Sequence, residues 1–209
     1  MLKFIKIVPF IVFVFLAQSF PVTSQDSSAT ETLEAGSQPE EELTLGEQVS
    51  PDDQIGNTYT REVHGDWQLR CVRTDDGRDP CQLYQLMSDD NGNSVAEITL
   101  FELPKGQAAL AGATVAVPLG TLLTRQVTIS VDSGSAKRYP FSWCSVQGCY
   151  ARIGFTTNDL RNLKRGANAY VTIVPFASPN TQVRLTLSLT GFTKGFAALQ
   201  AANEAIASQ

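Results

Sequence analysis

The feature that most constrains this chain is its four cysteines: Cys71, Cys81, Cys144 and Cys149. In the stretch "GDWQLRCV", Trp67, Leu69 and Cys71 alternate with Asp66, Gln68 and Arg70. That is the two-residue period of a half-buried strand. "TDDGRDP" then supplies turn residues, and "CQLYQLM" resumes the extended pattern, so Cys71 and Cys81 fall on the two arms of a predicted hairpin. "WCSVQGC" sets Cys144 and Cys149 on either side of a short reversal, which Gly148 permits.

Whether these thiols are oxidised depends on where the chain goes. Lys3 and Lys6 precede an apolar run from Ile7 to Ala17, followed by small and polar residues, the layout of a secretory signal peptide over 1–24 with cleavage near Ser19 or Ser24. A membrane span needs about 20 apolar residues. The run is shorter than that and no later stretch approaches it, so the mature chain is expected to lack a transmembrane segment.

An even number of cysteines in an exported chain is read as disulfides, and four allow three connectivities. Closing a long loop is worth only about 2 kcal/mol more than closing a short one, which is within the strain of real disulfides. Energetics therefore leaves the pairing open, and nearness in sequence favours Cys71 with Cys81 and Cys144 with Cys149. A thioredoxin-like redox site needs Cys-x-x-Cys at a helix start, whereas the closer pair here has four intervening residues in a strand-and-turn setting. Zinc would need further ligands, and the chain has a single histidine, His64. Neither metal nor cofactor is expected.

Residues 25–60 differ from the rest of the chain. They contain nine acidic side chains, no basic one, no tryptophan and no phenylalanine. Such a composition buries too little apolar surface to order itself, and reads as a disordered acidic linker. From Arg61 to Gln209 there are 14 Lys and Arg against 12 Asp and Glu, so the formal net charge of −5 belongs to the linker. A near-neutral, exported domain is a poor candidate for nucleic-acid binding.

The remaining 61–209 reads as one domain. "VAEITLFEL" and the stretches 113–117, 126–132, 148–155, 169–176 and 182–189 are further strand candidates; in the last, Val183, Leu185, Leu187 and Leu189 face one way. "TTNDLRNLKRG" predicts a short helix with a Thr cap and a Gly stop, and the alanine-rich segment from Phe196 is a candidate carboxy-terminal helix. Many short strands without alternating helices predict a mainly β, antiparallel sandwich.

Chemistry-bearing motifs are sparse. The chain has no Gly-x-Ser-x-Gly elbow and no His-Glu-x-x-His, and the acids Glu97, Glu102, Asp132 and Asp159 show no spacing that makes them converge. No enzyme is expected. The densest basic group is Arg161, Lys164 and Arg165, with Lys137 and Arg138 elsewhere. On a helix the three would lie near its carboxy end, where the dipole favours cations. Their functional reading is a surface that contacts an anionic ligand, an acidic polymer or the chain's own acidic linker.

Taken in order, "GDWQLRC", "PCQLYQ", "VPLG", "YPFSWCSVQGC", "LRNLKRG" and "LTLSLTGFTKGFAAL" resemble the invasion-associated locus B family of exported bacterial proteins. The resemblance spans Asp66 to Leu199. It implies an immunoglobulin-like β-sandwich with Trp67 as core anchor, Pro118-Leu119-Gly120 as a strand-ending turn and Gly191-Phe192 as the exit from the last strand. It also implies a non-enzymatic envelope or host-interaction protein that contributes to host-cell invasion. Its compartment would be the periplasm, with outer-membrane association or secretion as alternatives. Its partners would be an envelope or host protein or a glycan. A structural or chaperone-like protein that binds extended partners is the second expectation, and an envelope hydrolase the third.

Overall fold

A computed structural model describes Ser50 and residues 54–89, 91–104 and 106–208. The expected signal peptide, 1–24, and most of the expected acidic linker, 25–60, lie outside the described residues.

The chain runs through β1 (Thr58–His64), β2 (Trp67–Val72), β3 (Cys81–Ser88), β4 (Ser94–Glu102), β5 (Ala111–Val117), β6 (Val127–Val131), β7 (Lys137–Tyr139), β8 (Phe141–Ser145) and β9 (Gly148–Phe155). It continues with α1 (Thr157–Arg165), β10 (Asn168–Ile173), β11 (Val183–Ser188) and α2 (Phe192–Ala207). The expected mainly β, antiparallel fold is present, and every named strand pairing is antiparallel. Two differences stand out. Strand β1 takes in Thr58–Thr60, which composition assigned to the linker, because its residues are mostly exposed and polar and its register shifts between Thr60 and Glu62. Helix α2 begins at Phe192, not Phe196.

The sheet forks at β3. One edge of β3 pairs with β4; along the other, Cys81–Tyr84 pair with β2, and only Ser88, opposite Thr186, meets β11. One leaf is therefore β1-β2-β3-β4-β5-β9-β8, the other β11-β10-β6-β7, and together they make a single nearly closed sheet. Inward-facing residues of both leaves, among them Leu83, Ile98, Val115, Val171 and Leu187, form one buried cluster.

At the fork, side chains replace the missing ladder. Buried Gln85 donates from Nε2 to Ser188 O at 3.0 Å and accepts from Ser188 N at 2.8 Å, reproducing a backbone rung. Trp67, fully buried, donates from Nε1 to the same carbonyl at 2.9 Å. Its ring meets Phe192 edge-on with centroids 5.2 Å apart, so one tryptophan ties β2, β11 and α2 together. Buried polar groups left without partners are costly, which makes both residues specific choices at this point.

A second junction is made by backbone alone. The β1–β2 turn crosses the start of α2 at Gly65 and Gly191, whose φ angles are 59° and 85°. A Cβ at Gly65 would lie 2.6 Å from Thr190 O, and one at Gly191 would strike His64 O. Asp66 N donates to Thr190 O at 3.2 Å across this crossing. Positive φ and the absence of a side chain are both required here, and only glycine offers both.

The disulfides join Cys71 to Cys81 and Cys144 to Cys149, each a directly opposed cross-strand pair. Beside the first, buried Asp79 accepts from Thr74 N at 2.8 Å and Tyr59 Oη at 2.8 Å. These donors, Thr74 foremost, hold its carboxyl below the usual aspartate range. Beside the second, Gly148 abuts the β5 strand so closely that a Cβ would lie 2.5 Å from Val117 O. Trp143 is not core: it stacks on Tyr150 at 5.0 Å and remains 46% exposed. Replacing Cys144 and Cys149 together by serine should lower unfolding free energy by about 2 kcal/mol in urea titration, the value of closing a short loop.

Register also sorts the loops. Ala111 pairs with Phe155 and Val117 with Cys149, so the β5–β6 loop and the β8–β9 turn share one end of the molecule and α1 occupies the other.

Candidate functional site

Helix α1 is capped at both ends. Thr156 Oγ1 accepts from Asp159 N at 3.3 Å, and Asp159 Oδ2 accepts from Thr156 N at 3.0 Å, a reciprocal capping box. Gly166 N returns to Asn162 O at 2.8 Å. Leu160 and Leu163 point into the core, so the helical period turns Arg161, Lys164 and Arg165 outward, three and four residues apart on one exposed face.

The structure thus brings the three predicted residues together. Among the described residues none of them is ion-paired: Arg161 Nη1 donates to Asn158 Oδ1 at 3.3 Å, and Lys164 Nζ lies 5.0 Å from the Phe196 ring centroid. With Leu110, Thr157 and Leu160 they line a shallow depression of about 320 Å³. Arg165 also borders a second hollow of about 400 Å³ between α1 and the β6–β7 hairpin.

That second hollow holds a pairing the sequence concealed. Lys137, on β7, donates to Asp159 Oδ1 at 2.5 Å, joining two charges 22 positions apart. Burial alone would raise the Asp159 carboxyl, yet hydrogen bonds from Lys137 and Thr156 hold it below the aspartate range. Burial pushes the neighbouring Tyr139 hydroxyl up. Asp132 in the same hollow accepts from Ala167 N at 3.2 Å and Asn168 N at 3.0 Å. A carboxyl serving as general acid needs the opposite displacement to that of Asp159.

The other candidate carboxylates stand apart. Glu97 accepts from Tyr84 Oη at 3.0 Å on one leaf, and Glu102 accepts from Gln200 Nε2 at 3.0 Å beside α2. His64 Nε2 lies 3.0 Å from Glu62 Oε2, at the end of β1. No group of three or more His, Cys, Asp and Glu side chains that could hold a metal occurs among the described residues.

Free sheet edges bear on capture of extended partners. The open edge of β8 follows Pro140 and carries a register shift between Phe141 and Trp143, and β1 is bulged with Arg61 and Glu62 at the irregularity. Both are devices that blunt strand addition. No helix among the described residues is long and apolar enough to cross a membrane.

The fold and its accessible charges define a small disulfide-stapled β-domain that presents its chemistry on its surface. Residues 67–200 match the family described as Invasion associated locus B (IalB) protein, and the chain belongs to that family. Two invasion protein B homologs from strains of Brucella abortus are each 26% identical to it over 146 residues, 70% of this chain and 82% of theirs. The crystal structure of invasion associated protein B from Bartonella henselae superposes with a TM-score of 0.56 at 21% identity, covering 68% of this chain and 96% of that one. The latter likeness is one of fold.

Proposed function

We propose that the chain is an exported, non-enzymatic invasion-associated protein that binds an anionic envelope or host-surface component through the outer face of α1. The supporting observation is that Arg161, Lys164 and Arg165 share an exposed helix face and none is neutralised by an acid among the described residues. In this reading residues 1–24 are a signal peptide, the acidic segment from 25 to the start of β1 is a spacer, and the periplasm is the compartment. Two disulfides suit oxidising surroundings outside the cytoplasm. The family name and the relatives' names support a role associated with invasion.

Retention on heparin-agarose, as a polyanionic probe, and binding to an isolated envelope fraction test the proposal. The triple variant Arg161→Glu, Lys164→Glu, Arg165→Glu should bind about tenfold more weakly at low salt, with the gap closing as salt rises. Its melting temperature should fall by only a few degrees, since the side chains are exposed and the loss is that of favourable charge at the carboxy end of α1. Unchanged retention at every salt concentration would remove α1 as the binding face.

A further inference from the structure

Opposite α1, the β5–β6, β8–β9 and β10–β11 connections lie at one end of the molecule, and each exposes a large apolar side chain: Leu119 at 57%, Val146 at 87% and Phe176 at 71%. Leu123, 41% exposed, adds a fourth on the same loop as Leu119.

These side chains are held out by ordered backbone. Phe176 N donates to Gly120 O at 2.7 Å, Leu122 N donates to Val174 O at 2.7 Å, and Thr121 bridges Pro175. Thr121 Oγ1 donates to Pro118 O at 2.8 Å. The β8–β9 turn is drawn alongside by the Val117–Cys149 pair and stapled by Cys144–Cys149. Exposure here is built in, and little conformational entropy remains to be lost on contact.

The charge pattern narrows the partner. Residues 118–126, 146–147 and 174–182 contain no acid, although the chain has 21, and their single charge is Arg125. Between the apolar tips stand Thr121, Thr124, Gln147, Ser178, Asn180 and Thr181, all uncharged and polar. The β3–β4 turn, with acidic Asp89, lies at this same end by register, so the acid-free surface is that of the three apolar loops and not of the whole end. The apolar tips stand on three separate loops. A fluid acyl boundary accommodates them all, with hydroxyls, amides and one guanidinium at headgroup level.

We propose that this end of the molecule is a lipid-contacting crown that inserts Leu119, Phe176, Val146 and Leu123 into the interface of a bilayer leaflet. The crown is independent of the basic face of α1 at the opposite end, so either proposal can fail alone.

The test uses the full chain with vesicles of phosphatidylethanolamine and phosphatidylcholine bearing bromine-labelled acyl chains, whose zero net charge gives the basic face of α1 no anionic lipid to bind. In a Trp143→Phe background, a Phe176→Trp reporter is compared with Leu110→Trp beside α1. Shallow insertion should quench the reporter at 176 about twofold and leave that at 110 unchanged, as expected for burial roughly 5–10 Å into the headgroup boundary. This comparison also separates the crown from the apolar run at Ile7–Ala17, which by itself would bring the whole chain to vesicles without orienting the crown. Should Phe176→Trp not fold, Leu119→Trp serves as reporter. Equal quenching at both ends, or none at the crown, overturns the proposal. So does vesicle-free self-association in sedimentation velocity that Leu119→Ser with Phe176→Ser abolishes, because the crown would then be a contact between copies.

Discussion

Replacing Gly191 by alanine should destabilise the domain by about 3 kcal/mol or more, enough to shift its denaturation midpoint far below the parent's. The methyl group meets the His64 carbonyl, and neither neighbour can yield, because His64 belongs to β1 and residue 192 begins α2. The residue would also have to hold a φ of 85°, which L side chains rarely adopt. A variant that melts with the parent in a urea titration would show that the crossing can open without cost.

The second large effect is expected at Trp67. Substitution by alanine removes the largest fully buried side chain and its edge-on contact with Phe192, at a cost of about 3–5 kcal/mol. Trp67→Phe separates packing from polarity. It retains much of the ring but leaves Ser188 O without its 2.9 Å donor, with Gln85 Nε2 still in place. Its cost should be about 1 kcal/mol, the net value of a typical hydrogen bond. If the phenylalanine variant is as unstable as the alanine one, the indole N–H rather than the ring volume is what secures the fork.

The sequence exposes those elements whose two faces differ. Strands β2, β3 and β11 alternate buried and exposed side chains with few exceptions, and β9 spans the same Gly148–Phe155 that the pattern predicts. Helix α1 announces both ends chemically, through Thr156 with Asp159 and through Gly166. Strand β1 was invisible because it is an edge strand: most of its side chains face solvent, and a bulge breaks its period. The start of α2 was hidden because its first residue follows a glycine in the left-handed region rather than a Ser, Thr, Asp or Asn cap.

Candidate binding residues were legible to the extent that one helix brings them together. Positions 161, 164 and 165 need only the helical repeat to share a face. Lys137 with Asp159 needs the β6–β7 hairpin to fold against α1, and no local pattern encodes that meeting. The apolar crown was equally obscure, since "VPLGTLL" and "VPFASPN" have the composition of buried strand ends. Only the tertiary path of the three loops reveals that Leu119 and Phe176 stay outside. Gln85 is the converse case: its place in the alternation marks it as inward, but nothing nearby in sequence names Ser188, its partner 103 positions on.

The crossing at Gly65 and Gly191 has a consequence for which substitutions this chain can accept. Most tertiary contacts join side chains, and a change on one side can be compensated by a change on the other. Here two stretches of main chain touch directly, so neither position has an atom with which to answer a substitution at its counterpart. Drift can reshape the surrounding core one compensated pair at a time while these two sites stay locked. Pairwise covariation would miss their contact, because positions that cannot vary carry no correlated signal.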